Sequence, residues 1–456
     1  MVAERQGPVI VVRGGAVLQP TGFTRADVAI AGGEVRAVGQ DVSVPRGATV
    51  IDAGGCLVGP GLVDLHTHLR QPGAEEVETI ETGSRAAALG GYTALVAMPN
   101  TEPPVDSAGV AREIMELGRS ALAEILVAGA ITMGRSGERL APMAELSRLG
   151  VRIFTDDGTG VQDAGVMRRA LDYARGLGVV LAQHCEDRQL AAGGVMHEGA
   201  WSSRLGLPGV PAAAEETMLA RDLALVRLTG SRMHFMHLST EGSMELVRRA
   251  KAEGLPITAE VTPHHLTLTE EAVREYDPVF KVSPPLRRRR DVEALVAAAR
   301  DKTVDAVATD HAPHAPEAKD LPFDQAPPGM LGLETALAVT CAALGDDVPK
   351  EQLFALMSQQ PARIAGVGPA RRAGGRRAGA LPGPGRPVGS AQGGWVQAGA
   401  AANLCVFDPH ATWVVDPGAL ASRSRNTPFA GWTLRGRVRH TILRGEPVVI
   451  DAQAQR

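Results

Sequence analysis

The first 55 residues alternate short apolar or period-two runs with paired glycines. Residues 9–12, 16–18, 27–30, 34–38 and 49–51 predict strands, and Gly14-Gly15, Gly32-Gly33 and Gly54-Gly55 predict turns. No helical period occurs here, so a small β structure is expected. From residue 57 the pattern changes. Continuous apolar runs end in polar, often metal-binding, side chains, and a helical stretch follows. Eight such runs occur, at 62–64, 93–98, 124–130, 151–155, 179–182, 233–236, 257–261 and 305–308. Uninterrupted apolar runs suit parallel strands covered on both faces. Segments 80–89, 214–228 and 291–300 are rich in Ala, Leu, Glu and Arg, as helices prefer. Eight strand–helix units with polar strand ends predict an α/β fold: a (β/α)8 TIM-like barrel with its active site at the C-terminal ends of the strands.

The barrel pattern spans 57–366 and then stops. Residues 367–396 are dominated by Gly, Pro, Arg and Ala and are expected to form a mobile surface loop. Runs at 403–407, 412–415 and 437–443 read as strands again. The expected organisation is discontinuous, with residues 1–56 and 397–456 forming two parts of one small β-sandwich beside the barrel.

Composition narrows the function. The formal charge is −4, from 47 basic and 51 acidic residues, so no basic excess exists to bind nucleic acid. No apolar stretch approaches the roughly 20 residues needed to span a bilayer. Residues 1–8 lack the basic and apolar regions of a secretory signal. Cys56, Cys185, Cys341 and Cys405 are scattered without a CxxC pair, which suits a reducing cytoplasm. Only five of the 47 basic residues are Lys, and none precedes Lys251.

Candidate chemistry collects at the ends of the runs. In a strand, residues i and i+2 face the same way, so His66 and His68 can reach one ion, with Asp64 preceding them on that face. His184, His237 and Asp310 hold equivalent positions after the fifth, sixth and eighth runs, and Asp156-Asp157 after the fourth. Six nitrogen and oxygen ligands exceed the need of one tetrahedral zinc, whereas two divalent ions sharing a ligand account for them. Such a pair lowers the pKa of water and polarises a carbonyl. Asp310 is placed to accept a proton and pass it to a leaving nitrogen. The reaction class is metal-assisted hydrolysis of an amide or cyclic amide. Asp156 and Asp157 are adjacent, and composition does not choose between them.

Residues 60–70 (Pro-Gly-Leu-Val-Asp-Leu-His-Thr-His-Leu-Arg) and 308–314 (Ala-Thr-Asp-His-Ala-Pro-His) resemble the signature segments of dihydroorotases, in the amidohydrolase superfamily. Segments 98–101, 155–158, 184–187, 237–240 and 281–287 extend the resemblance to the long bacterial type, from about residue 9 to 448. The resemblance implies two Zn2+ per subunit. His66 and His68 would hold one, His184 and His237 the other, with Asp157 bridging. Asp310 would ligate the first and act as general acid/base. Arg70, Asn100 and His314 would hold the substrate carboxylate beside His68, and Arg suits an anion as a rigid two-pronged donor. Many amidohydrolases bridge their metals through a carboxylated lysine on strand four; no lysine stands there, so a carboxylate must serve.

Two features depart from or extend that pattern. Ser283 stands where the family usually has Asn, and Ser lacks the amide's paired donor and acceptor. The Pro-rich stretch 315–329 is long enough to cover the site, and the family pattern places substrate contacts at the backbone of Pro328 and Gly329. Of the other histidines, His264 and His265 read as structural, His311 as an orienting group for Asp310, and His197, His234, His410 and His440 as ordinary. The resemblance implies reversible cyclisation of N-carbamoyl-L-aspartate to (S)-dihydroorotate in pyrimidine synthesis, on a small-molecule substrate. A homodimer and association with aspartate transcarbamoylase are both compatible with it. Two other readings stand beside it. One is a hydantoinase- or allantoinase-type hydrolase, which the missing lysine disfavours. The other is a non-catalytic partner of the transcarbamoylase, which should have lost metal ligands.

Overall fold

The computed structural model describes residues 9–369 and 390–456; residues 1–8 and the 370–389 part of the Gly/Pro/Arg-rich segment lie outside the described residues. The N-terminal strands are β1 (Ile10–Gln19), β2 (Gly22–Ala31), β3 (Glu34–Gly39), β4 (Thr49–Asp52) and β5 (Leu57–Pro60). The two expected runs at 9–12 and 16–18 are one strand, with a register shift between Val12 and Gly15 where Gly14 takes φ 78°. A residue with φ > 0 inside a strand bends it, which is why the run looks broken in sequence.

Eight parallel strands follow: β6 (Leu62–Thr67), β7 (Tyr92–Ala97), β8 (Glu124–Val127), β9 (Ile153–Phe154), β10 (Val180–Gln183) and, after the short pair β11 (Met196–His197) and β12 (Gly209–Val210), β13 (Met233–Phe235), β14 (Ile257–Val261) and β15 (Ala306–Val307). They make two parallel sheets, β6-β7-β8 and β9-β10-β13-β14-β15. Single bridges join the sheets at both edges, Gly129 to Phe154 and Thr67 to His311. Alternate residues serve two cores. Val63, Ala94, Val96, Ala128, Ala182, Ala306 and Ala308 share one cluster, whereas Leu62, Leu95, Phe154, Leu181 and Phe235 pack with the helices. Apolar side chains on both sides explain why the runs carry no polar alternation. The helices match the expected positions closely: Ile80–Leu89, Ala212–Thr229 and Arg289–Arg300. The first starts at a capping box, in which the Thr79 hydroxyl accepts from Thr82 N–H and the Thr82 hydroxyl accepts from Thr79 N–H, both at 3.1 Å.

The chain ends in β16 (Leu404–Val414), β17 (Thr433–Leu443), β18 (Glu446–Ile450) and β19 (Gln453–Ala454). These join the N-terminal strands in one nine-stranded sheet, ordered β19-β18-β17-β16-β5-β1-β2-β3 with β4 also paired to β1. The seam is the antiparallel pair β5–β16, with Val58 opposite Val406. The expected two-layer element therefore takes the form of one continuous sheet, whose halves share a core of Val12, Val28, Val58, Leu404, Val406 and Ile442. Residues 57–60, expected to open the barrel unit, belong to this sheet. Residues 390–396 also differ from a loose surface loop. Gln392 is buried, accepts from the Thr93 hydroxyl at 2.7 Å and donates to Glu124 Oε2 at 2.8 Å.

Candidate active site

Each candidate ligand lies at or just past the C-terminal end of a parallel strand. His66 and His68 end β6, Asp157 follows β9, His184 follows β10, His237 follows β13 and Asp310 follows β15, and all six are buried. His66 Nε2 lies 3.4 Å from Asp157 Oδ2 and 3.5 Å from Asp310 Oδ1. His68 Nε2 lies 3.5 and 3.1 Å from the same two oxygens. His184 Nδ1 and His237 Nε2 are each 3.6 Å from the other Asp157 oxygen, Oδ1. One carboxylate thus faces one histidine pair with each of its oxygens. Within the groups His66–His68–Asp157 and Asp157–His184–His237, the donor atoms lie within 4.8 Å of one another. His66 Nε2 and Asp157 Oδ1 are buried without a hydrogen-bond partner. Unpartnered buried polar atoms are costly, and convergent nitrogen and oxygen donors are what a borderline divalent cation needs, so the residues fit a metal.

The neighbouring carboxylate points elsewhere. Asp156 Oδ1 accepts from Ile131 N–H at 2.9 Å and Thr132 N–H at 3.1 Å, and Oδ2 accepts from the Thr132 hydroxyl. It clamps the segment after β8, which leaves Asp157 facing the histidines. Burial alone would raise the Asp157 pKa, but His66, His184 and His237 hold it well below the usual carboxylate range.

Two supporting residues escaped the sequence reading. Glu260 Oε1 lies 3.1 Å from His66 Nδ1, and Oε2 lies 2.9 Å from His234 Nε2. His234 Nδ1 lies 2.8 Å from the Thr258 hydroxyl. His234, expected to be ordinary, is therefore part of a chain leading to a candidate ligand. Burial would raise the Glu260 pKa, yet His234 and His66 pull it to about 2. An ionised Glu260 keeps the proton on His66 Nδ1 and leaves the Nε2 lone pair toward the centre. The available signal was a glutamate inside the apolar five-residue strand β14, since a buried charge requires a partner. Glu260→Gln is expected to weaken metal affinity about 10- to 100-fold, measured by chelator competition, with little change in melting temperature.

Asp64 is a fastener here. It accepts from Thr309 N–H at 3.0 Å, the Thr309 hydroxyl at 2.5 Å and His66 N–H at 3.2 Å, tying β6 to the segment after β15. Burial pushes its pKa to about 7. The expectation for His311 is corrected. Its ring turns to Glu78 Oε2 at 3.3 Å and accepts Gly332 N–H at 3.2 Å. Only its carbonyl meets the site strand, accepting His68 N–H at 2.9 Å. His265 bonds Thr262 and the Pro284 carbonyl, and His264 is buried against it, with ring centroids 4.5 Å apart.

The expected substrate residues border this centre. Asn100 Oδ1 lies 2.9 Å from His68 Nδ1, so its amide fixes the His68 tautomer and keeps its own NH2 free to donate. Arg70 Nε donates to the Pro313 carbonyl at 3.2 Å. Burial lowers the Arg70 pKa, and Asp310 and Asp157 act against that. Among the described residues no carboxylate lies within 4 Å of Arg70. His314 Nε2 donates to the Pro328 carbonyl at 2.8 Å. Burial, then the Arg70 and Lys319 charges, bring the His314 pKa to about 3. Gly329 donates to the Lys281 carbonyl at 2.8 Å, and its own carbonyl accepts from Asn426 at 3.1 Å. A side chain at Gly329, φ 147°, would start 2.6 Å from His314 Nε2, so only glycine fits. The Pro328–Gly329 backbone is thus already engaged within the protein. Ser283 Oγ makes one long contact, 3.5 Å to Glu186. Arg70, His237 and Asp310 all take positive φ, at 59°, 32° and 48°. Such conformations cost energy in non-glycine residues and concentrate at functional sites.

A family model described as dihydro-orotase-like matches residues 55–243. A dihydroorotase of Pelotomaculum thermopropionicum is 45% identical over 447 residues, covering 97% of this chain and 99% of that protein. One of Streptomyces coelicolor is 47% identical over 447 residues, covering 97% and 98%. The chain belongs to the dihydroorotase family. Among solved structures, the L-hydantoinase (dihydropyrimidinase) of Arthrobacter aurescens superposes with a TM-score of 0.84 at 24% identity, over 98% of this chain and 97% of that one. A dihydropyrimidinase of Brevibacillus agri gives 0.81 at 22%. These likenesses show the mixed α/β fold with its sheet domain. Among the described residues, no helix of this dihydroorotase family member is long and apolar enough to cross a membrane.

Proposed function

We propose that the chain is a working dihydroorotase, interconverting N-carbamoyl-L-aspartate and (S)-dihydroorotate in pyrimidine synthesis. The observation that carries this reading is Arg70: a half-buried guanidinium at the edge of the centre, bonded to the Pro313 carbonyl, with no carboxylate within 4 Å among the described residues, and close enough to His68 and Asp310 to act on their charges. A guanidinium with no carboxylate against it can take an anion from outside, and both substrates bring a carboxylate. The fold reading that accompanies it is a (β/α)8 barrel, supported by the bridges that link the two parallel sheets at both edges.

Two zinc ions would be held by His66, His68, Asp157 and Asp310 on one side and by Asp157, His184 and His237 on the other. When bound, they supply Lewis acidity, lowering the pKa of the attacking water and polarising the carbonyl. The chain's own groups do the rest. Burial opposes ionisation of Asp310, but the His66 charge and the His68 hydrogen bond keep its pKa well below the usual range. Asp310 is therefore ionised at neutral pH and accepts the proton of the attacking water at its carboxylate oxygen. It then returns that proton to the ring nitrogen as the amide opens; ring closure runs the same path backwards. Arg70 and the Asn100 NH2 grip the substrate carboxylate. The His314 Nε2–H moves from the Pro328 carbonyl to that carboxylate, which frees Pro328 O to accept a ring N–H.

The test is an absorbance assay of dihydroorotate hydrolysis with and without chelator. Activity should vanish on metal removal and return with zinc. Hydrolysis of hydantoin or allantoin without action on dihydroorotate would overturn the reading, as would activity indifferent to chelation. Ser283→Asn should keep or improve turnover of dihydroorotate, because Ser283 makes only one long contact that an amide replaces; a large loss would show a pocket built differently.

A further inference from the structure

Two of the five lysines, Lys281 and Lys319, sit on segments bordering the substrate residues. Lys319 ends the short helix Pro316–Lys319, between His314 and Gly329. Its ammonium donates to three carbonyls: Pro327 at 2.8 Å, Pro278 at 2.9 Å and Lys281 at 3.4 Å. An ammonium has three N–H donors, and each has an acceptor. No carboxylate lies within 4 Å of it among the described residues. Burial and the Lys281 charge draw its pKa down to about 7. The side chain is thus held where its charge is costly, and what it gains there is contact with backbone.

Those carbonyls belong to two segments. Residues 278–281 lead directly to Ser283, and Pro327 precedes Pro328 and Gly329. Further bonds follow the same seam: Gly329 N–H to the Lys281 carbonyl at 2.8 Å, and Lys281 Nζ to the Asp324 carbonyl at 3.0 Å. Pro328 in turn accepts from His314. We propose that Lys319 is a positioning residue, whose ammonium ties segment 278–281 to segment 327–329 and so sets the spacing between Ser283 and the His314–Pro328–Gly329 group. What those residues bind rests on the dihydroorotase reading; the tie itself does not. Arginine cannot replace it, because a guanidinium spreads its donors in one plane and is longer.

The test uses the full-length, metal-loaded protein as wild type, Lys319→Met and Lys319→Arg. Both variants should raise KM for dihydroorotate about tenfold or more, the scale of losing a charged hydrogen-bond cluster, with kcat within about threefold and metal content unchanged. Amide hydrogen exchange without substrate should speed up in both variants over 315–331 and not at the metal ligands. Should Lys319→Met not accumulate, Lys319→Gln carries the same comparison. Wild-type KM in Lys319→Met, unchanged exchange over 315–331, or full restoration by Lys319→Arg would each overturn the proposal. A wild-type protein inactive on dihydroorotate sinks the functional reading instead, and exchange still reports on the tie.

Discussion

Asp310→Asn lowers the rate of dihydroorotate hydrolysis by about 10³-fold, within the usual range for losing a positioned general base. The change is nearly isosteric. It removes the carboxylate that faces His66 Nε2 at 3.5 Å and His68 Nε2 at 3.1 Å, yet leaves the hydrogen bonds by which Asp64 joins β6 to Thr309. The fold should therefore persist, with a melting temperature within a few degrees of wild type. Metal at the His184–His237 side should remain, because neither residue depends on Asp310 for its approach to Asp157. The expected signature is a collapse of kcat with modest change in KM, read together with metal content by atomic absorption. Activity within about tenfold of wild type would show that the proton passes through another group.

Asp157→Asn has a different signature, in metal content before rate. Asp157 is the residue that both donor groups share, with one oxygen toward each histidine pair. An amide offers one neutral oxygen and presents N–H donors where the second pair needs a lone pair. Metal per chain should fall to less than about half, and activity by about 10³-fold or more, with added zinc restoring little. Asp156→Asn supplies the contrast. Asp156 holds Ile131 and Thr132 backbone, so its loss should lower stability before it lowers metal content. Wild-type metal content in Asp157→Asn would reassign the bridge.

Much of the site is visible in the sequence because strand geometry is local. His66 and His68 share a face by period two, and the polar ends of parallel strands collect at one rim whatever the loop lengths. The missing lysine is legible for the same reason, since absence from a strand end is a sequence fact. Glu260 and His234 were harder to see. Each lies inside an apolar strand, and only the pairing of β13 with β14 brings them 2.9 Å apart. Asn426 was invisible. It lies 112 residues from His314, yet accepts that residue's N–H at 3.2 Å and donates to the Ala312 and Gly329 carbonyls. His311 misled because adjacency to Asp310 suggested contact, whereas the backbone turn at Asp310 sends the two side chains apart.

By itself, the sequence located the eight parallel strands and most of the terminal ones, named the polar residues that follow the eight runs, and showed that no lysine precedes residue 251. Tertiary structure turned Asp156 to the Ile131 and Thr132 backbone and Asp157 to the histidines, a difference that adjacency in the sequence does not show. It also placed residues 57–60 in the terminal sheet, set Arg70 against the Pro313 carbonyl, and gave the Lys319 ammonium three carbonyls. The reason is physical. Periodicity and residue type are properties of a segment, but a hydrogen-bond partner is chosen by what packs across from it, and that is set by strand pairing and loop contacts hundreds of residues apart.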